Sequence, residues 1–285
     1  GESSCVGCGE CVQACPTGAL IETSLLDKNN DQTIFPEKKI KSLCPFCGVG
    51  CQTLVSVKDN KIIAVDGQNG PANENRLCVK GRFGFDYINS PLRLTTPLIR
   101  ISKKSKSWDI SIDDKDIYKY FRKASWEEAL DLASKKFTEI LKSNKINSLA
   151  GFGSAKGSNE EAYIFQKLIR TGFKTNNVDH CTRLCHASSV AALLQSVGSA
   201  AVSAPFTAVK DSECIILIGA RPEQNHPVAA SYFKQAVKNG TKLIILDPRK
   251  QSLSRYATHH LQFNPGQDLA LLNAMIFTII NENLT

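Results

Sequence analysis

Eight of the chain's eleven cysteines fall in two tight groups before residue 80, and that spacing constrains the fold more than any other feature of its 285 residues. Disulfide frameworks belong mostly to much shorter secreted chains, so clustered Cys-x-x-Cys pairs in a chain of this length point to metal. The first group, Cys5, Cys8, Cys11 and Cys15 followed by Pro16, spells C-x2-C-x2-C-x3-C-P. This is the bacterial run for a [4Fe–4S] cluster. Short glycine-containing turns let its thiolates converge on one cube, with backbone N–H groups aimed at the sulfurs. Zinc competes, but zinc sites usually draw on two separated pairs rather than on one compact run.

In two-cluster ferredoxins the fourth cysteine of each run serves the other cluster. Only one such run is present, so residues 1–32 read as half of a ferredoxin-like module. A partner run is expected before Gly1, and the absence of an initiator Met agrees with a chain cut at its front.

The second group, Cys44, Cys47, Cys51 and Cys78, reads C-x2-C-x3-C-x26-C. Between its third and fourth members, Thr53–Lys58 and Lys61–Asp66 alternate in hydropathy around an Asp59-Asn60 turn, the pattern of a small β-meander. Three ligands from one loop and a fourth from a returning loop again suit a [4Fe–4S] cube, although zinc stays open on spacing alone. A small β-rich domain is expected over residues 37–93.

Composition narrows the rest. A hydrophobic content of 42% is ordinary for a globular chain. No apolar run reaches the roughly 18 residues of a membrane helix, and no basic-then-apolar leader is visible at the front, so a cytoplasmic chain without a membrane span is expected. The net charge of +8 fits a basic surface, with Lys103, Lys104 and Lys106 in a polar loop, or a cavity that holds phosphates. No aromatic-studded basic stripe or finger motif supports nucleic acid.

From Ser125 onward helices and apolar strands alternate. Ser125-Trp126-Glu127-Glu128 predicts a capping box ahead of a helix striped by Ala129, Leu130, Leu132, Ala133 and Phe137. Ser158-Asn159-Glu160-Glu161 predicts a second box. Residues 146–153, 215–219 and 243–246 read as buried strands, with a helix over 227–238. Strands and helices in this order imply an α/β domain with a doubly wound parallel sheet over residues 94–285. In such sheets ligands sit beyond the carboxyl ends of the strands. Three loops lie there: Gly153-Ser154-Ala155-Lys156-Gly157 ahead of Asn159, Gly219-Ala220-Arg221, and Asp247-Pro248-Arg249. The first suits a phosphate at a helix N-terminus, and the acidic strand end of the last suits ribose hydroxyls or a guanine edge. Direct NAD binding is the rival, but no G-x-G-x-x-G follows a strand.

Asn176–His186 is a polar loop leading into a helix from about residue 188. Cys185 stands just before that helix, near Arg183 and His186, where positive partial charge favours the form of sulfur that binds a soft metal. Cys181 has no assigned task, and Cys214, between Glu213 and Ile215, is expected to pack in the core.

Cys44-Pro-Phe-Cys47-Gly-Val-Gly-Cys51 with Arg76-Leu-Cys78-Val-Lys80-Gly81-Arg82 resembles the N-terminal [4Fe–4S] domain of the bis-molybdopterin guanine dinucleotide (bis-MGD) oxidoreductases. The resemblance implies that Lys80 lies between cluster and pterin and assists electron transfer. It implies pterin-dinucleotide loops at Gly153, Asn159, Asp247, Arg249 and Pro265-Gly266-Gln267-Asp268. Arg183-Leu-Cys185-His186 is similar to the formate dehydrogenase form of the family. There a Cys or selenocysteine ligates Mo or W and the following His assists at the substrate carbon, whereas nitrate reductases usually carry Met or Ser after the Cys. Formate and CO2 are then substrate and product, and the electron acceptor a flavin subunit that reduces NAD or a hydrogenase. The family's substrate Arg and second dinucleotide site are expected beyond Thr285. Other readings are a nitrate or arsenate reductase, a complex I-like electron-transfer subunit without molybdenum, and a zinc-stapled module.

Overall fold

The structure is a computed structural model describing residues 5–101, 117–143 and 147–284. It divides into two compact units, Gly1–Phe85 with Val202–Thr285, and Asp86–Ala201. Compactness therefore groups residues 202–285 with the cysteine-rich front of the chain.

The first unit begins with a short helix, α1 (Glu10–Ala14), between the cysteines of the first group. Strands β1 (Lys38–Leu43), β2 (Gln52–Lys58) and β3 (Lys61–Gly67) follow as an antiparallel sheet in that order. Asp59 and Asn60 take φ of 48° and 56°, the left-handed pair a tight hairpin needs. Strand β1 escapes the sequence pattern because it is an edge strand exposed at every residue, its lysines suited to an unpaired edge. Beneath the sheet Val49, Cys51, Val65 and Leu77 are buried together. Helix α2 (Val79–Phe83) starts at once after Cys78.

The second unit runs through α3 (Asp86–Asn89), β4 (Leu98–Arg100), α4 (Ile117–Tyr120) and β5 (Phe121–Lys123), with β4 and β5 antiparallel. Next come α5 (Trp126–Lys142), β6 (Gly151–Gly153), α6 (Asn159–Lys167), β7 (Val178–His180), α7 (Thr182–Cys185) and α8 (Ala187–Val197). Ser158 makes the full capping box: Glu161 N donates to its hydroxyl and its own N–H donates to the Glu161 carboxylate, at 3.2 and 2.6 Å. Ser125 makes only half of one. It accepts from Glu128 N, but the Glu128 carboxylate turns to Arg122 instead. The stripe residues Leu130, Leu132 and Phe137 remain exposed within this unit. The strand expected over 146–153 shortens to Gly151–Gly153; Ile146, like Lys103, Lys104 and Lys106, lies outside the described residues.

The chain then returns to the first unit as β8 (Cys214–Ile218), α9 (Pro222–Asn225), α10 (Pro227–Lys238), β9 (Lys242–Leu246), β10 (His259–Leu261) and α11 (Asp268–Asn281). These strands form a parallel sheet ordered β10-β9-β8 over a core of Ile215, Leu217, Leu243, Ile245 and Leu253. Strand β8 alternates exposed and buried along its length, so only one face is covered and Ile216 is 53% exposed where a fully buried strand was expected. Cys214 is exposed for the same reason and is not a core residue. The expected single doubly wound sheet is corrected as well. The described parallel strands fall into two sheets, β6-β7 in one unit and β10-β9-β8 in the other. Helix α10 is fastened to the loop before Cys78 through Tyr232, fully buried between the cations of Arg76 and Lys210, each 4.7 Å from its ring centroid.

Candidate functional site

The second cysteine group converges on one hollow. Cys44, Cys47, Cys51 and Cys78 line it together with Phe46 and Lys80, and residues of α9 and α10 close it from the other side. Cys44 N donates to Cys51 O at 2.9 Å, closing the loop that carries three of the thiols. The fourth is brought back by Asn73. Its side-chain oxygen accepts from Gln52 N at 3.0 Å, and its amide donates to the carbonyls of Gln52, Gln68 and Arg76 at 3.0, 3.2 and 3.0 Å. Burial, then the neighbouring Cys44, Cys47 and Cys78, push the Cys51 thiol up to about 12. Burial chiefly raises Cys44 too. Four thiols facing one another around a hollow, Cys51 buried and the other three half-buried, suit a group that shares their charge. A [4Fe–4S] cluster is such a group, as the cysteine spacing predicts.

The first group is arranged differently. Cys5 and Cys11 are exposed, Cys8 and Cys15 partly so, and α1 buries nothing. Gly7 N donates to the Cys5 sulfur at 3.4 Å, as backbone N–H groups do around iron–sulfur clusters. The Thr17 hydroxyl, then backbone N–H groups of Leu20, Thr17 and Ala19, hold the Cys15 thiol down at about 7. This segment is fixed to the second through Arg82, which is 1% exposed. Its Nε donates to Cys8 O at 2.9 Å, and its terminal nitrogens donate to Glu10, Gln13 and Asp66 at 2.8, 2.7 and 3.0 Å.

Beyond the strand ends of the first unit, Gly219, Arg221, Asp247, Arg249 and Pro265 line a cleft of about 550 Å³. Gly219 and Gly266 take φ of 58° and 85°, which permits both turns. Arg221 Nε is buried without a partner, and His226 and Arg249 add donors, so the cleft fits a phosphate-bearing ligand. Asp247 is partly spent within the fold: its carboxylate accepts from Arg249 N at 2.8 Å and from the Gln251 amide at 3.3 Å. Gly266 and Asp268 stand at the start of α11 rather than in the lining, which only Pro265 of their motif reaches. Asn225 borders both this cleft and the cysteine hollow.

In the second unit Gly153, Ser154, Lys156, Asp179 and His180 line another cleft of about 550 Å³ beyond β6 and β7. Asn159 begins α6 at its edge but is not among the lining residues. Cys185 ends α7, and His186 stands alone between α7 and α8 with φ of −132°. Cys185 therefore precedes the N-terminus of α8, as the sequence predicts, and is exposed. Arg183 is not free beside it. Its Nε donates to Asp179 at 2.8 Å, and that hydrogen bond, with the backbone N–H of His180, holds the Asp179 carboxyl below its usual range. No helix among the described residues is long and apolar enough to cross a membrane.

Arg82, Asn73 and Asn225 were given no role by sequence reasoning. Arg82 stands inside a quoted motif, but a bonding partner 74 positions away leaves no local signal.

Three family models match the chain: molybdopterin oxidoreductase over residues 93–285, molybdopterin oxidoreductase Fe4S4 domain over 37–90, and 4Fe-4S binding domain over 2–21. The chain is 37% identical over 246 residues to the F420-dependent formate dehydrogenase 1 subunit alpha of Methanococcus maripaludis, covering 86% of this chain and 34% of that protein. It is also 37% identical over 251 residues to the periplasmic nitrate reductase of Desulfovibrio desulfuricans, covering 87% of this chain and 31% of that protein. Acetylene hydratase from Pelobacter acetylenicus shares the fold, with a TM-score of 0.67 at 23% identity over 87% of this chain and 32% of that one. The chain spans about a third of the length of the curated relatives it matches.

Proposed function

The chain belongs to the molybdopterin oxidoreductase family, with [4Fe–4S] clusters and Mo- or W-bis-MGD as its cofactors, and from that premise we propose that it is the N-terminal part of a formate dehydrogenase catalytic subunit. When bound, the metal–pterin group supplies the two-electron oxidation of formate to CO2, and the clusters carry the electrons away singly. The chain's own residues place and tune that chemistry. Cys185 is the proposed metal ligand, set at an exposed helix end where its sulfur can reach outward. His186, at the break between α7 and α8, is the proposed group beside the substrate carbon, holding the proton that formate gives up. Lys80 shares the cysteine hollow and is read as the electron relay between pterin and cluster. The clefts at Gly153-Ser154 and at Gly219, Asp247 and Arg249 are read as dinucleotide contacts, with Asn159, Gly266 and Asp268 at the helix starts beside them. Functionally the chain is read as residues 1–32, 37–93 and 94–285. The proposed acceptor is a flavin subunit of NAD-diaphorase type or a hydrogenase.

The observation that carries the choice of substrate is the Cys185-His186 pair. Identity to the formate and nitrate relatives is the same 37%, so the pair has to decide. The test is the metal-loaded, full-length protein assayed for formate-dependent reduction of a viologen dye and nitrate-dependent oxidation of the reduced dye. Formate activity lost in Cys185→Ala, with iron content kept, supports the reading. Nitrate activity without formate activity replaces it with the reductase reading. Iron without Mo or W replaces it with a pure electron-transfer subunit.

A further inference from the structure

We propose that Arg82 is a positioning residue that holds the Cys5–Cys15 cluster in register with the Cys44–Cys78 cluster and so fixes the route between them. The inference rests on the reading above that electrons leave through these clusters in sequence.

A guanidinium has five N–H donors in a rigid fork. Arg82 has a partner for each: Cys8 O, Glu10, Gln13, Asp66 and, at 3.4 Å, Val65 O. Three belong to the first cysteine segment and two to β3. The backbone of Arg82 is tied to the other side, since its N–H donates to Cys78 O at 3.1 Å. One residue thus bridges the peptide of a first-group cysteine to that of a second-group cysteine. Neighbouring contacts reinforce it. The Glu10 carboxylate also accepts from Leu77 N at 2.8 Å, and Gln13 exchanges two hydrogen bonds with the backbone of Gly67 at 2.9 and 3.2 Å. Gly9, at φ +72°, makes the approach feasible, because a Cβ there would lie 2.4 Å from Arg82 Cδ.

Burial of an ionic group is weak evidence for stability, since an apolar side chain of similar size often serves as well. What an apolar side chain cannot do is define register through five directed bonds. Lysine, a point charge with three donors, reproduces only part of the pattern. In the electron step one cluster is oxidised and the other reduced by one electron; no bond is made or broken at Arg82, and its proton stays. Transfer between centres falls steeply with separation, so a clamp on the ligand peptides acts directly on rate.

The test uses the full-length holoprotein. Dithionite reduction followed by electron paramagnetic resonance reads the magnetic interaction between the reduced Cys44–Cys78 cluster and its neighbour in the first segment, and stopped-flow absorbance after formate addition reads transfer to that neighbour. In Arg82→Met the splitting from that interaction is expected to disappear and transfer to slow severalfold. Arg82→Lys should recover part of both. Wild-type splitting and rate in Arg82→Met overturn the proposal, as does a wild type without splitting. Should Arg82→Met lose iron, Glu10→Gln and Gln13→Ala decide, because they leave the guanidinium in place. Weakened splitting in both supports the clamp, and unchanged splitting in both rejects it. If dithionite gives the splitting but formate reduces neither cluster, the formate reading fails and the clamp stands.

Discussion

The Cys44–Cys78 segment sets its thiols on an apolar floor of Val49, Val65 and Leu77, whereas the Cys5–Cys15 segment buries none of its residues. Each segment carries four thiols, but their chemistry diverges with their surroundings. In the second segment burial and mutual proximity push Cys51 up to about 12. In the first, hydroxyl and backbone donors bring Cys15 down to about 7. The difference teaches that a cluster site can be held either by packing or by directed polar bonds. A buried polar residue fixes the register of each: Asn73 for the packed site, and for the exposed one Arg82, which reaches across from α2 after Cys78.

Removing those two residues is the most direct way to break the comparison. Asn73→Ala strands the Gln52 N–H and the Arg76 carbonyl where Asn73 is fully buried, while Gln52 O and Gln68 O keep backbone donors, and should cost roughly 4 kcal/mol at about 1–3 kcal/mol for each stranded group. Guanidinium unfolding checks the magnitude, and selective loss of the Cys44–Cys78 cluster signal checks the site. Arg82→Met should cost less, about 3 kcal/mol, because Glu10 and Asp66 are 39% and 37% exposed and can be hydrated once the cation is gone. Its spectroscopic effect should fall on the Cys5–Cys15 cluster. If either variant damages both clusters equally, the two sites are one cooperative unit and the contrast fails.

What the sequence disclosed follows the same division. Both cysteine runs, the Asp59-Asn60 hairpin, the Ser158 capping box and helix α10 are local patterns, and they were legible because spacing within a few residues determines them. Arg82 was not, since five acceptors spread from Cys8 to Asp66 carry no periodic signature. Strand β1 was missed because an exposed edge strand needs no alternation. Strand β8 was taken as fully buried because a run of aliphatic residues reads alike whether one face of the strand is covered or both. The Glu128 half of the Ser125 box failed because Arg122, in a neighbouring strand, competes for the same carboxylate. At the proposed metal-binding end, Cys185 was placed correctly before α8, but the pairing of Arg183 with Asp179 required the structure.

A smaller effect is expected from Gly9→Ala. A residue with a Cβ at φ +72° costs about 1–2 kcal/mol, and its contact with Arg82 Cδ adds strain that a flexible side chain can partly relieve. The variant should lower stability by about 2 kcal/mol in chemical unfolding. It should also weaken the magnetic interaction between clusters less than Arg82→Met does. An interaction abolished as fully as in Arg82→Met would mean that the backbone turn, and not the guanidinium, sets the register.

The smallest effect sharpens the contrast at the level of single sulfurs. The thiolate is the nucleophile, so a thiol held near 7 reacts at neutral pH, whereas one pushed to about 12 stays protonated and slow well above it. In iron-free protein, iodoacetamide should therefore label Cys15 first at pH 7 and Cys51 last, with peptide mass spectrometry reading the order. The Thr17 hydroxyl is the largest of the influences that lower Cys15, and it lies 3.5 Å from the sulfur. Thr17→Val removes that donor and leaves the backbone N–H groups, so the midpoint of the Cys15 rate–pH curve should move upward while Cys51 stays last. Labelling of Cys15 and Cys51 at equal rates would show that without iron the two segments share one environment. The opposed environments would then be a property of the loaded clusters rather than of the polypeptide that receives them.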